Sequence, residues 1–154
     1  MKYICTLLVV EHMERSKQFY REVRGQEVVS DLGANVTLSC GLSLQTMDSW
    51  KQFTRLEQIS LGHNASELYF ETEDLDAFEE RLRSMPISYV HPVHQQPWGQ
   101  RAMRFYDPDG HIIEVGETMP SVVRRFLAQG LTLEEVAQRM DVPLEYLTND
   151  PQEP

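Results

Sequence analysis

The chain has 154 residues, 41% of them hydrophobic, and a formal net charge of −10. This length predicts one domain, or one domain with an appendage, and the apolar fraction is sufficient for a packed core. The negative charge argues against partners that need clustered Lys and Arg, such as nucleic acids and anionic membranes. No signal peptide or membrane-spanning run is recognised, and Cys5 and Cys40 follow no metal or disulfide spacing. We therefore expect a cytoplasmic protein with reduced thiols.

The first part of the chain predicts a strand, a helix and three more strands. Residues 3–10 are nearly all apolar, which is typical of a strand covered on both faces. Residues 14–23 have the apolar spacing of a helix, which ends at Gly25. The three further strands are predicted at 27–31, 35–40 and 42–46.

The same order follows in the second part of the chain. Residues 48–61 predict a helical turn and a linker, after which 68–72 reads as a strand. An amphipathic helix is predicted at 74–85, with Asp74 as its N-cap. The strands that complete this round are predicted at 88–94, 102–106 and 111–116.

The two rounds align with each other as copies of one unit. Residues 11–14 correspond to 73–76 at an offset of 62, and Gly41–Gln45 corresponds to Gly110–Glu114 at an offset of 69. A unit used twice can bury its strands by pairing with its copy. The sequence therefore predicts an α+β fold of paired βαβββ modules. These modules cover about residues 1–47 and 66–117 within a domain at 1–118.

The composition changes after Thr118, and residues 119–150 predict a helical C-terminal extension. Helices are predicted at 121–129, 133–140 and 144–147. Thr132 and Glu135 have the spacing of a capping box. Residues 132–148 resemble the first helices of a helix-turn-helix, but this segment lacks the basic recognition helix that DNA reading needs. We expect the extension to pack on the sheet body or on a partner.

The most distinctive stretch is the predicted hairpin at residues 104–115. Pro108 and Gly110 favour a tight turn, in which Asp107 can accept a hydrogen bond from the backbone two residues on. Glu114 then lies within an apolar strand. A carboxylate there is costly unless it is paired, protonated, metal-bound or facing a wet cavity.

Three motifs carry a resemblance to a known superfamily. They are Val9–Tyr20, Pro97-Trp98-Gly99, and Phe105–Gly110 continuing to Glu114. With the doubled element order, they resemble the vicinal oxygen chelate proteins, which include glyoxalase I, extradiol dioxygenases, fosfomycin-modifying enzymes and bleomycin-resistance proteins. The resemblance implies curved mixed sheets around a cavity, and a homodimer.

In metal-using members, the ligands come from the first and last strands of each module. The resemblance maps these positions to Cys5, Gln45, Glu67 and Glu114, where His is absent. Carboxylate and amide oxygens suit hard divalent cations, whereas a thiolate prefers softer metals, so the set is chemically mixed. The alternative interpretation is that Cys5 is a small apolar residue and that Glu114 is hydrogen-bonded or ion-paired.

Several other side chains are candidates for contact with a ligand. They are Gln45, Trp50, Tyr69, Trp98 and Arg101. Aromatic groups supply much of the contact area in ligand sites, although the same rings also suit a core or a dimer interface. Arg101 and Arg104 are predicted either to clamp an anionic group or to pair with an acid such as Glu114. His91 and His94 are predicted on opposite strand faces, and His111 is predicted to be exposed.

These features favour a metal-free protein that binds a small molecule, since the expected histidines are missing. The alternative is a divalent-metal-dependent lyase, isomerase or dioxygenase that acts on vicinal oxygens, with Mn, Ni, Zn or Fe as the metal. In that case Glu114 is the catalytic carboxylate. A third interpretation is an interaction scaffold that uses the helical extension.

Overall fold

The computed structural model describes residues 1–148, which contain eight strands and six helices. The strands are β1 (Leu7–Val10), β2 (Val28–Asp31), β3 (Asn35–Leu38), β4 (Ser43–Thr46), β5 (Glu67–Thr72), β6 (Ser88–Gln95), β7 (Arg101–Tyr106) and β8 (Ile112–Glu117). The helices are α1 (Met13–Arg24), α2 (Met47–Thr54), α3 (Leu75–Arg83), α4 (Met119–Ala128), α5 (Leu133–Met140) and α6 (Leu144–Thr148). The chain divides into two compact units, Met1–Leu68 with Tyr106–Ile113, and Tyr69–Phe105 with the chain from Glu114 onward.

The first sheet has the strand order β1-β4-β3-β2 and confirms the first predicted module. β1 runs parallel to β4, and the other neighbours are antiparallel. Helix α1 buries Tyr20 and Val23 completely. It ends as predicted at Gly25, whose φ of 63° allows its backbone N–H to reach the carbonyls of the last turn.

The first strand is shorter than its apolar composition predicts. Its ladder with β4 begins at Leu7 opposite Ser43, so residues 3–6 lie outside the strand. Tyr3 and Ile4 are 75% and 77% exposed. The prediction of a strand over 3–10 covered on both faces was therefore wrong at its beginning, because apolar composition does not say where a pairing partner ends.

The second sheet has the order β5-β8-β7-β6 and confirms the second module. Asp74 caps α3 as predicted by accepting from Ala77 N at 2.9 Å. One face of the sheet packs on this helix, since the rings of Phe105 and Phe78 lie 6.3 Å apart. Side chains alternate along a strand, so the residues next to Phe105 face the other way. This polar face of the second sheet is defined by Tyr69, Arg104, Glu114 and Gly116.

The C-terminal extension has its own apolar cluster and also packs on the second sheet, within the same unit. Its buried core is formed by Val122, Phe126, Val136 and Met140. The predicted capping box of Thr132 is present. Arg125 of α4 donates to the carbonyl of Gly99 at 2.7 Å, so the expected packing on the sheet body is confirmed. No helix within residues 1–148 has the length and apolar character that a bilayer crossing requires.

Candidate functional site

The turn after β7 is held by the side chain of Asp107. Its Oδ1 accepts from the backbone N–H groups of Asp109 at 2.9 Å and His111 at 2.8 Å. Its Oδ2 accepts from the Tyr20 hydroxyl at 2.9 Å. The bond from Asp109 confirms the predicted turn chemistry. Gly110 has a φ of 85°, and a Cβ there would lie 3.0 Å from the Cα of Gly62, so glycine is needed on two grounds.

Asp109 joins the hairpin motif to the motif at the beginning of the chain. Its carboxylate accepts at 3.0 Å from each of three donors: the backbone N–H of Glu11, the guanidinium of Arg15 and the hydroxyl of Ser16. The side chain of Asp109 is fully buried. Both motifs resemble the superfamily, and the contact shows that they have a structural role here. Sequence reasoning missed it, although a polar Ser16 one turn before Tyr20 on the buried side of α1 was a usable signal.

Burial changes the proton affinities in this cluster. Desolvation, with the Asp107 carboxylate beside it, raises the pKa of Tyr20 well above 10.0, so the phenol remains a donor. Desolvation also raises the pKa of Asp107 above 3.8, against the opposing effects of His111 and the bound donors. The cluster is therefore a largely buried hydrogen-bonded network that supports the hairpin turn.

His111 is not exposed as predicted. It is half-buried, and its Nε2 lies 2.9 Å from the carbonyl oxygen of Val9. Since a carbonyl can only accept, Nε2 carries the hydrogen and donates. The alternation with Ile112 suggested an outward side chain, but the neighbouring backbone of β1 supplies an acceptor that the sequence does not reveal.

The polar face of the second sheet places an ion pair where the sequence predicts a costly acid. Glu114 is 6% exposed, and its carboxylate accepts from the guanidinium of Arg104. Arg104 Nη1 lies 3.2 Å from His91 Nε2, and His91 Nδ1 lies 2.8 Å from the Pro92 carbonyl. Because Arg only donates, His91 accepts at Nε2 and donates from Nδ1. The paired interpretation of Glu114 is therefore the one that the structure shows.

The side chains of the two histidines of β6 are in contact, although they were predicted to lie on opposite faces of the strand. The rings of His91 and His94 meet edge-on at a centroid distance of 6.2 Å. A regular strand would send them to opposite faces, but β6 is an edge strand with Pro92 between them. Proline fixes φ and donates no ladder bond, so regular alternation is a poor guide at this point.

Two aromatic candidates share one buried amide beside this ion pair. Gln100 Nε2 donates to the Tyr69 hydroxyl at 2.8 Å, and Gln100 Oε1 accepts from Trp98 Nε1 at 3.1 Å. Tyr69 and Trp98 are 49% and 42% exposed. Tyr69 in turn donates to Glu71 at 2.8 Å. Desolvation and this bond raise the pKa of Tyr69 to about 12, so the phenol remains protonated at neutral pH.

Arg101 faces the other side of the sheet. It donates to Glu117 Oε1 at 2.9 Å and to both oxygens of Asp76 at 3.0 and 3.1 Å. Arg125 also donates to Glu117. Desolvation raises the pKa of Glu117, but the bonds from Arg125 and Arg101 outweigh it and lower the pKa below 4.5. Ligand binding by Arg101 stays a prediction, and these contacts give it no support.

The four predicted metal positions do not present a coherent donor set. Cys5 Sγ accepts from Ser43 at 3.6 Å, and Gln45 Oε1 already accepts from Asn35 at 2.8 Å. Glu67 is exposed at the beginning of β5, and Glu114 is ion-paired. In the described part of the chain, no group of three or more His, Cys, Asp or Glu side chains is arranged to hold a metal ion. These residues therefore do not fit a metal centre.

Trp50 and Gln45 belong to the first unit, and the aromatic pair belongs to the second. Trp50 is half-buried on α2, and the amide of Gln45 bonds to Ser49 on the same helix. This bond and the one from Asn35 satisfy the buried amide of Gln45. Ligand contact by either residue stays a prediction.

Comparisons with known proteins agree with this fold. Residues 3–120 match a family model described as a glyoxalase-like domain. A protein of unknown function from Agrobacterium tumefaciens str. C58 is 36% identical, with a TM-score of 0.71 over 77% of this chain and 95% of that chain. A glyoxalase-related enzyme from Fulvimarina pelagi is 20% identical, with a TM-score of 0.67 over 76% of this chain and 88% of that chain. A search of curated proteins found no match.

Proposed function

Since the chain belongs to the glyoxalase-like family, we propose that it binds a small organic molecule without a metal ion, on the polar face of the second sheet. The observation that carries this proposal is the Arg104–Glu114 ion pair. The guanidinium already neutralises the carboxylate that a metal ion would need as a ligand. Arg remains charged at all relevant pH values, so a divalent cation would have to displace a permanent partner.

The remaining predicted ligands support the same proposal. A divalent ion would have to break the Asn35–Gln45 bond and compete for the thiol of Cys5. Asn35 and Ser43 would then lose the acceptors of their hydrogen bonds, and a buried donor without a partner costs about 1–3 kcal/mol. The alternative function, a metal-dependent lyase, isomerase or dioxygenase, is therefore treated as the outcome of the metal analysis that would contradict the proposal.

The polar face offers the groups that a ligand site needs. Partly exposed aromatic rings provide apolar contact, and the ordered polar atoms beside them fix orientation. Tyr69 and Trp98 supply the rings, and Gln100 orders both of them. This combination supports recognition of an organic molecule.

The test is metal analysis of protein purified without an affinity tag, followed by thermal unfolding with Mn²⁺, Ni²⁺, Zn²⁺ and Fe²⁺. We expect no stoichiometric metal and an unchanged Tm. A bound metal at a hundredfold excess over its Kd would stabilise the fold by about 2.7 kcal/mol. The matched variants are Glu114→Gln and Glu71→Gln, an acid outside the four positions. Stoichiometric metal that Glu114→Gln loses and Glu71→Gln keeps would contradict the proposal.

We also propose that the chain forms a homodimer, as the resemblance implies. Large apolar side chains are exposed on the first unit at Tyr3, Ile4, Val29 and Leu32. Covering such side chains with a second surface would remove apolar area from water, which is favourable. Light scattering coupled to size-exclusion chromatography should give twice the 17.9 kDa mass of one chain. A mass of one chain across the accessible concentration range would contradict this proposal.

A further inference from the structure

Tyr69, Trp98 and Gln100 form a single built element, which we call the aromatic platform. One side-chain amide bonds to both aromatic residues, at 2.8 Å and 3.1 Å. Gln100 is 4% exposed, and its Nε2 also donates to the Glu117 carbonyl at 2.7 Å. The Glu117 carbonyl therefore fixes the amide, and the amide holds each of the two aromatic side chains by one hydrogen bond.

One glycine leaves room for the aromatic platform, and a second leaves room for the ring of Phe126 on α4. A Cβ on Gly116 would lie 2.9 Å from Gln100 Nε2 and 3.2 Å from the Tyr69 hydroxyl. Gly99 has a φ of 96°, and a Cβ there would lie 2.4 Å from the ring of Phe126. Trp98 thus sits on a turn that α4 holds from the other side. Rings held in place before binding lose little conformational entropy when a ligand arrives.

The charge around the platform favours a cation. The Tyr69 hydroxyl donates to the carboxylate of Glu71, which remains exposed. Within residues 1–148, no Lys or Arg forms an ion pair with Glu71, whereas the nearby Glu114 is paired with Arg104. The faces of Trp and Tyr rings attract cations through their quadrupole. The net charge of −10 acts in the same direction over longer distances.

We propose that the aromatic platform binds a flat organic cation, with Trp98 and Tyr69 contacting its face and Glu71 supplying the counter-charge. This rests on the proposed small-molecule function and names the ligand class for that site. Gln100 is a positioning residue, since it acts through the two rings. An anionic ligand is disfavoured because it would meet the Glu71 carboxylate at the edge of the platform.

The experiment is calorimetric titration of the full chain at pH 8 with three flat bicyclic probes: N-methylquinolinium, neutral quinoline and anionic quinaldate. We expect affinity to fall in that order. Trp98→Ala should weaken N-methylquinolinium binding about fivefold to thirtyfold, and Trp98→Phe should weaken it less. Glu71→Gln should lower the preference for the cation over quinoline by about threefold without changing quinoline binding.

The matched control is Tyr146→Ala, which removes an exposed aromatic ring from α6 and should leave the titrations unchanged. Gln100→Ala should reduce the ratio of cation to anion affinity, which a merely structural role would not alter. If Trp98→Ala fails to fold, Trp98→Phe and Glu71→Gln decide the outcome. Equal affinity for the three probes, absence of binding, or an unchanged titration with Trp98→Phe and Glu71→Gln would overturn the platform. The metal analysis is independent of all these results, so the two proposals fail separately.

Discussion

The two copies of the repeated module put an equivalent cross-strand pair to different uses. In the first copy, Asn35 of β3 lies opposite Gln45 of β4, and their amides hydrogen-bond at 2.8 Å. In the second copy, Arg104 of β7 pairs with Glu114 of β8, which lies 69 residues after Gln45. Gln45 and Glu114 are 4% and 6% exposed. Each copy thus has a partly buried polar pair at these positions, which is neutral in the first copy and charged in the second.

The turns of the two copies differ in the same way. Gly41 and Gly110 occupy equivalent positions with φ of 84° and 85°. In the first copy, the exposed Ser39 bonds to Glu27 N and to Gln26. In the second copy, the buried Asp107 accepts three bonds. The backbone geometry of the turn is shared, but the side-chain support is much stronger in the second copy.

The largest expected effect comes from removing that support. Asp107→Ala leaves the backbone N–H groups of Asp109 and His111 and the Tyr20 hydroxyl without their buried acceptor. We expect the free energy of unfolding to fall by about 3 kcal/mol, measured by urea denaturation. Ser39→Ala, which removes the exposed side-chain support of the turn in the first copy, should cost about 0.5 kcal/mol. Equal costs for the two variants would show that the turns are supported alike.

The next effect tests the difference between the two polar pairs. Arg104→Met leaves the Glu114 carboxylate buried without its cation, and we expect a loss of about 2–3 kcal/mol in urea. Asn35→Ala leaves one neutral acceptor unpaired and should cost about 1 kcal/mol.

The double variant Arg104→Asn, Glu114→Gln copies the first module's pair into the second. We expect it to be more stable than Arg104→Met, because no charge is left buried. A double variant as unstable as Arg104→Met would mean that packing around the Arg104 side chain, and not charge, decides the cost.

Local signals were enough to predict much of the fold. The cap of Asp74, the capping box of Thr132 and the end of α1 at Gly25 depend on residues within four positions, so the sequence displays them directly. The repeat offsets predicted two equivalent modules because each copy carries the same order of local signals. The predicted first residue of β1 was wrong because the beginning of this strand depends on where β4 supplies a pairing partner.

The site was harder to predict because its contacts are distant in sequence. Asp109 hydrogen-bonds to Glu11 and Ser16, which lie more than 90 positions earlier in the sequence, and Gln100 hydrogen-bonds to Tyr69, which lies 31 positions earlier. The sequence identified Tyr69 and Trp98 as candidates by residue type, but it gave no sign of the amide that joins them. The pairing of Arg104 with Glu114 was one of two open alternatives, since strand alternation fixes a face and not a partner.

The smallest expected effect concerns a third pair of equivalent positions, Asp48 and Glu117, again 69 residues apart. Asp48 is exposed in the first turn of α2, whereas Glu117 is buried and binds Arg101 and Arg125. The folded-state pKa of Glu117 lies below 4.5, so its stabilising contribution is present above that pH. This contribution is lost as the pH falls through the lowered pKa.

Urea denaturation of the wild type and Glu117→Gln between pH 7 and pH 3 measures this contribution. The difference in the free energy of unfolding between the two proteins should stay constant above about pH 5 and shrink below pH 4.5, since glutamine does not titrate. A wild-type–Glu117→Gln difference that does not change with pH would show that the two guanidinium groups do not hold Glu117 ionised, and the contrast between the copies at this position would reduce to burial alone.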